Sequence, residues 1–345
     1  MVDAREYHER TKHSPERLRE SDVTLDPATK PRPYKQYTDL PRERLRAIRP
    51  PQLPALSAVA GSLAAPGGDG VNPPSAIDRE TLATLCYEAS GIVEHATLED
   101  GREMLFRAAS CTGKLYHIDL YPVVGDLDGL AAGVYHFDPR TFSLDVLREG
   151  DYRGVLSAAV GARAGEDHAG DEEHPVEDAP VTFVATSTWW RNAWKYRERT
   201  YRHAFWDAGT VLANLLAAAH ATGRQVTAGS AFADGAVADL LGVDPEWEAP
   251  VALATVGSDH PAPPARDVSR IDPGTEPVSP ETTAYPLMHD AWRQSTLADG
   301  AAAADWRSRA ADSQGLGTVQ PRDGERISLD PVGVAEQSGR PLAAT

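Results

Sequence analysis

The sequence predicts an α+β fold for residues 76–257, and three observations carry that expectation. Val181-Thr182-Phe183-Val184-Ala185-Thr186 is a short apolar, β-branched run of the kind that forms a buried strand. Tyr201, Phe205, Ala208, Val211, Leu212, Leu215, Leu216 and Ala219 recur at three- and four-residue spacing, the longest helical pattern in the chain. Strand-like and helix-like stretches alternate on both sides of this pair. Gly223 stands where a left-handed helix cap is expected. The second half of the helix is apolar almost all round, which predicts a buried central helix. Between strand and helix, Ser187 to Tyr196 reads as a polar, aromatic connection. Its last pair, Lys195-Tyr196, marks the helix entrance, where a rigid element meets a polar loop and chemistry is easily placed.

Taken in order, residues 1–50 form a polar arm. Ser14-Pro15 predicts a helix start with Ser as cap, and Pro27, Pro31 and Pro33 then prevent long regular structure. Such an arm needs a surface to order it and is otherwise a loosely packed extension. Residues 51–75 are rich in Pro and Gly and read as a loop-like linker. A helix through Leu82, Leu85 and Cys86 follows and ends near Gly91, with Cys86 on its apolar stripe as a buried thiol. The Gly-containing segment Arg107 to His117 leads into an alternating strand, Ile118 to Val124. Gly133 to Asp138 reads as another strand. The acidic stretch 160–179 reads as a solvated loop, not a metal site, because nothing in it fixes ligand geometry. Gln225 to Ser230 is a short strand and turn, Asp234 to Leu241 a helix ending at Gly242, and Pro250 to Gly257 a last core strand. Residues 258–345 read as extended wrapping or linker, with one helix between Tyr285 and Trp306.

Composition narrows the function classes. The 345 residues hold 51 Asp and Glu against 34 Lys and Arg, a net charge of -17. That balance argues against nucleic acid and anionic membranes as partners. Two cysteines, Cys86 and Cys111, supply neither a disulfide framework nor a CxxC metal site. No long apolar run or N-terminal signal pattern is present, so a cytoplasmic location is expected.

Four segments together resemble the SagB/ThcOx branch of the nitroreductase superfamily, FMN-dependent dehydrogenases that oxidise thiazolines and oxazolines in modified peptides. Tyr7-His8-Glu9-Arg10-Thr11-Lys12-His13-Ser14 is similar to the family's FHExTKHS lead. Arg107 to Tyr121 is similar to RxxPSxGxLYPxELY, and Gly129 to Asp138 to GLxxGVYHYDP. Lys195 to Arg202 is similar to KYxxRxYR. The resemblance implies a nitroreductase-like α+β fold, with an antiparallel-rich sheet and a long dimer helix, carrying an N-terminal arm and a C-terminal extension. It implies FMN held between the subunits of a homodimer or a heterodimer. Arg107, Ser110, Cys111, Gly113, Gly229 and Ser230 would then contact the flavin. Lys195 and Tyr196 would serve dehydrogenation, a desolvated Lys as base and Tyr as proton relay, with hydride passing to flavin N5. The substrate would be a modified peptide or peptide-like product.

Departures from the pattern support a second reading. Ala64 to Ile77 contains no Arg where the family carries phosphate-binding arginines. Lys114 and His117 stand where the family has Ala and Pro. Arg266 and Arg270 could reach a phosphate but read better as exposed arginines. Ser338 to Thr345 resembles the lead-in to a second copy in tandem members. The alternative is therefore a catalytically degenerate subunit that supports an active flavoprotein. A general nitro- or flavin reductase fits less well, since the arm and the Lys-Tyr pair belong to the dehydrogenase branch.

Overall fold

A computed structural model describes residues 2–19, 24–51, 53–61, 76–97, 103–162 and 174–312. Most of the arginine-free stretch 64–77, the centre of the acidic loop and the tail from 313 lie outside them. The elements in chain order are α1 (Ala4–Thr11), α2 (Pro15–Arg19), β1 (Arg42–Arg44), α3 (Ala55–Gly61), α4 (Arg79–Ser90), β2 (Ile92–Thr97), β3 (Glu103–Arg107), β4 (Ile118–Val124), β5 (Gly133–Asp138) and β6 (Ser143–Glu149). Next come α5 (Arg153–Ala159), β7 (Val181–Thr188), α6 (Trp189–Tyr196), α7 (Thr200–Ala221), β8 (Val226–Gly229), α8 (Asp234–Leu241), β9 (Glu248–Val256), α9 (Pro286–Ser295) and α10 (Gly300–Asp312).

Seven strands form one sheet in the order β1-β6-β5-β4-β7-β9-β8, and β2 pairs separately with β3. Every ladder is antiparallel. β4, β7 and β9 are buried along their whole length, so apolar side chains leave both faces of the sheet. In β4, Ile118, Leu120 and Val124 join a core with α4 and α7, while Tyr121 and Val123 join a second core with α5 and α8. The expected α+β architecture is the one observed.

Several elements match their sequence signals closely. Ser14 Oγ accepts the Arg17 amide and starts α2. Gly242 adopts the left-handed conformation that ends α8, and Cys86 is fully buried. Other expectations change. The connection 187–196 is strand and then helix: Trp189, Trp190 and Ala193 share one buried face of α6, a spacing hidden by the polar residues among them. The stretch 51–75 carries a helix, α3, and the C-terminal extension carries two, α9 and α10. The central helix is not buried all round, because Phe205 (40% exposed) and Trp206 (54%) face solvent, as do Gly209, Thr210 and Ala213 beyond them.

The arm finds its ordering surface on its own chain. Val2 and Tyr7 pack with Leu287 and Ala291 of α9 and with Tyr201. Farther on, Lys35 reaches under the arm to Glu248 at the start of β9.

Candidate active site

The site is built where α6 ends and α7 begins. α6 buries Trp189 and Trp190 and leaves Lys195 exposed. Arg197 then takes a positive φ of 51°, which breaks the helix and lets α7 start at Thr200. Tyr196 is left pointing at the segment after β3. Gly113 there has φ 71°, and a Cβ at that position would sit 2.7 Å from the Tyr196 hydroxyl oxygen. Both the conformation and the close approach require glycine. Lys195 Nζ lies 5.4 Å from the Tyr196 ring centroid. The burial expected for Lys195 is not seen in the chain alone.

The segment 107–117 is tied to α7 by a carboxylate that sequence reasoning missed. Asp207 accepts from the Thr112 amide (2.8 Å), from Thr112 Oγ1 (2.7 Å) and from His117 Nε2 (2.8 Å). The other His117 nitrogen lies 2.8 Å from Ser187 Oγ, so helix, loop and β7 share one buried bridge. Burial opposes ionisation of Asp207, but the bonds from His117 and Thr112 hold its carboxyl below the usual range. Thr210 Oγ1 donates to the Ser110 carbonyl. Cys111 Sγ accepts the Tyr116 amide at 2.9 Å, and burial pushes its thiol up to about 11. His117 occupies a position where the resemblance has Pro; that departure was visible in the sequence, while its partners in α7 and β7 were not.

The other predicted contacts are placed differently. The Arg107 guanidinium turns inward, donating to Pro33 O, Ser90 Oγ and Ile118 O, and burial lowers its pKa to about 10. Ser110, Cys111, Arg107 and Asp207 line a crevice of about 10 Å³, room for a single water. A larger crevice of about 270 Å³ lies between Arg46, Tyr87 and Phe142 and contains none of the predicted site residues. Gly229 and Ser230 are exposed at the end of the edge strand β8. The register steps from Gly229 to Leu253, Val184 and Tyr121, so they lie across the sheet from the β4 end of the segment. Arg266 stacks on Tyr152 and Arg270 reaches Asp244.

The two outer motifs clasp each other. Tyr7 donates its hydroxyl to Glu198 O at 2.6 Å, Arg199 donates to Thr11 O, and Arg202 Nη2 donates to Thr11 Oγ1 at 2.9 Å. Trp194 Nε1 donates to Asp26 O, and the arm thereby runs along the site's rim. Among the described residues no cluster of His, Cys, Asp or Glu could hold a metal, and no helix is long and apolar enough to cross a membrane.

The fit to FMN can be judged from these residues. Of the expected flavin contacts, Ser110 and Gly113 are exposed and Cys111 is half-buried, so a planar ring could reach them from the solvent side. The closed crevice beneath is too small for it. Arg107 is committed to its own chain and is not a free phosphate ligand.

Comparison with known proteins places this architecture. The nitroreductase family model matches residues 75–258. The chain is similar to the trifolitoxin-processing protein TfxB of Rhizobium leguminosarum bv. trifolii, 26% identical over 187 residues, 53% of this chain and 48% of TfxB. It is similar to the nitroreductase-type protein MJ1384 of Methanocaldococcus jannaschii, 23% identical over 176 residues, 51% of this chain and 78% of that one. A crystal structure of a nitroreductase-type protein from Anabaena variabilis shares the fold with a TM-score of 0.61 at 24% identity, covering 85% of this chain and 54% of the other. The chain thus spans about half the length of TfxB and of the Anabaena protein. With the family model covering more than half of its residues, every strand of the large sheet but β1 included, this chain belongs to the nitroreductase family.

Proposed function

We propose that this chain is an FMN-dependent dehydrogenase that oxidises thiazoline or oxazoline rings, or a similar C–N bond, in a peptide-derived product. The observation that carries the reading is the meeting of Tyr196 with Gly113, which joins the Lys-Tyr pair to the segment expected to face the flavin. The processing role in TfxB's name supports a product-modifying role here. Bound FMN supplies the hydride acceptor. The chain's own work is to take up the remaining proton. Lys195, exposed and flexible, becomes a competent base once substrate or a second subunit buries it. Tyr196, fixed against Gly113, stands beside it as relay. Ser110, Cys111 and Gly113 would hold the ring system, with Gly229 and Ser230 offered from the other edge, while Arg107 fixes the segment from behind. The exposed Phe205-Trp206 face of α7 is where a second nitroreductase-type chain would close the site, as a homodimer or a heterodimer.

A second reading, a degenerate subunit that supports an active flavoprotein, is favoured by one observation: the Arg107 guanidinium is spent inside the chain. The visible spectrum of purified protein decides between them. Near-stoichiometric FMN with azoline turnover, abolished in Lys195→Ala at unchanged flavin content, supports the enzyme. Protein that refuses added FMN, or Lys195→Ala turning over at the wild-type rate, overturns it.

A further inference from the structure

His203 stands one residue beyond the Lys195–Arg202 motif, and its surroundings are those of a working side chain. It is 3% exposed. Its Nδ1 lies 2.8 Å from Asn192 Oδ1, which also accepts from Thr200 Oγ1 at 3.1 Å. An amide oxygen can only accept, so the imidazole proton belongs on Nδ1 and Nε2 keeps its lone pair. Nε2 has no hydrogen-bond partner among the described residues, so its lone pair is left unused within the chain. The ring is fixed on both sides: Tyr196 meets it edge-on at 4.8 Å and 83°, and Trp206 tilts over it at 5.4 Å. Asn192 Nδ2 is buried without a hydrogen-bond partner among the described residues.

We propose that His203 is a neutral proton acceptor of this site, standing against Tyr196 with its Nε2 unpaired within the chain. The step is a proton transfer alone: an O–H or C–H bond of the ligand or of Tyr196 breaks, an Nε2–H bond forms, and the imidazolium faces the Asp207 carboxylate. The charged groups around the ring are Arg199, Arg202 and His117, which oppose its protonation, and Asp207, which favours it. Burial first, and Arg199 second, push its pKa down to about 4, so the ring is neutral at any ordinary pH. The proposal deepens the dehydrogenase reading and rests on it for the substrate, while its geometry stands apart.

The test is histidine ring NMR on the full chain labelled with ¹⁵N-histidine, from pH 7.5 to 5. One ring, absent from the spectrum of His203→Gln, should stay neutral with its proton on Nδ1 throughout. A proton on Nε2, or titration near pH 6.5, overturns the proposal. Should His203→Gln fail to fold, Asn192→Asp retains an acceptor and adds a charge, and the same ring should then titrate at least one unit higher; an unmoved ring overturns it. For the role, His203→Gln should lower kcat about a hundredfold with KM retained and with a changed pH profile. A wild-type pH profile in that variant limits His203 to packing and overturns the role. If wild-type protein lacks azoline turnover altogether, the dehydrogenase reading fails, and the NMR result still decides this one.

Discussion

The charges under the arm and the charges at the start of α7 obey opposite rules. Beneath the arm, Lys35 Nζ lies 2.7 Å from Glu248 Oε2 and 2.9 Å from the Tyr121 hydroxyl, and Thr186 and Tyr121 donate to the other Glu248 oxygen. Arg191 Nη1 and Asp119 Oδ2 lie 2.7 Å apart, both side chains 1% exposed. Burial alone would discharge these groups. Instead burial is outweighed by several partners acting together: Glu248 with Tyr37 raises the Lys35 pKa, and Arg191 with His136, Arg107 and Lys35 holds Asp119 low. At the rim of the site, Lys195, Arg197, Arg199 and Arg202 form no ion pair with any carboxylate among the described residues, although the protein as a whole carries a net -17. In the first set each cation meets its carboxylate within one chain, and the pairs work as fasteners. The second is left open, and an open cation is one that a ligand or a partner can complete.

The sharpest way to break that contrast is to remove one buried cation. Arg191→Leu strands the Asp119 carboxylate, whose Oδ1 already lacks a partner, and should cost about 3–5 kcal/mol in urea unfolding. Adding Asp119→Leu should recover much of that loss, because a stranded charge costs more than an absent pair. Lys195→Ala should shift the same curve by no more than about 0.5 kcal/mol. Equal losses in the two single variants would mean that the site cations are fasteners too.

The contrast also explains what could be read from the sequence. Strands β4, β5 and β7 and helix α8 were legible because their residues follow one period, and the fold class followed from them. The Lys195–Arg202 and Tyr7–Ser14 motifs were legible as motifs, but not the clasp between Arg202 and Thr11, which joins residues 191 positions apart. Asp207 and His203 sat inside a helical pattern as ordinary polar positions. Only the tertiary approach of the 107–117 segment turns Asp207 into an anchor. α6 was misread because a helix buried on tryptophans and flanked by Arg, Asn and Lys lacks an aliphatic stripe. The hairpin β2–β3 and strand β6 escaped for a related reason: charged residues such as Glu94, His95 and Asp145 interrupt their apolar pattern.

Asp234 is the intermediate case, a mostly buried carboxylate with no ion-pair partner among the described residues. Its Oδ2 accepts the Leu297 amide at 2.8 Å and pins the C-terminal extension to the start of α8. Burial raises its pKa to about 6, against an ordinary 3.8. Between those values the folded protein holds a proton that the unfolded chain releases. The group therefore contributes most favourably below pH 3.8, and its contribution falls as pH rises, becoming least favourable above 6. Asp234→Asn keeps an oxygen for Leu297 and removes the charge. It should gain on the order of 2 kcal/mol at pH 7 and nothing near pH 4, read from denaturation curves at both values. A wild-type pH slope in the variant would mean that an uncompensated buried charge is tolerated here.

The smallest effect tests whether the two regions are mechanically joined. Tyr7 is 6% exposed, meets Tyr201 edge-on at 5.3 Å, and gives its hydroxyl proton to Glu198 O within the Lys195–Arg202 motif. Tyr7→Phe keeps the ring and its packing but leaves that carbonyl without its donor, a loss of about 1 kcal/mol. If α1 opens as a local unit, amides in 4–11 should exchange about five times faster while the sheet amides keep their rates. If sheet and arm exchange accelerate together, arm and core unfold as one body, and the clasp is part of the same fastening as Lys35. Unchanged exchange throughout would mean that Arg199 and Arg202 hold Thr11 without help from Tyr7, placing the arm's attachment on the very cations left free of carboxylates.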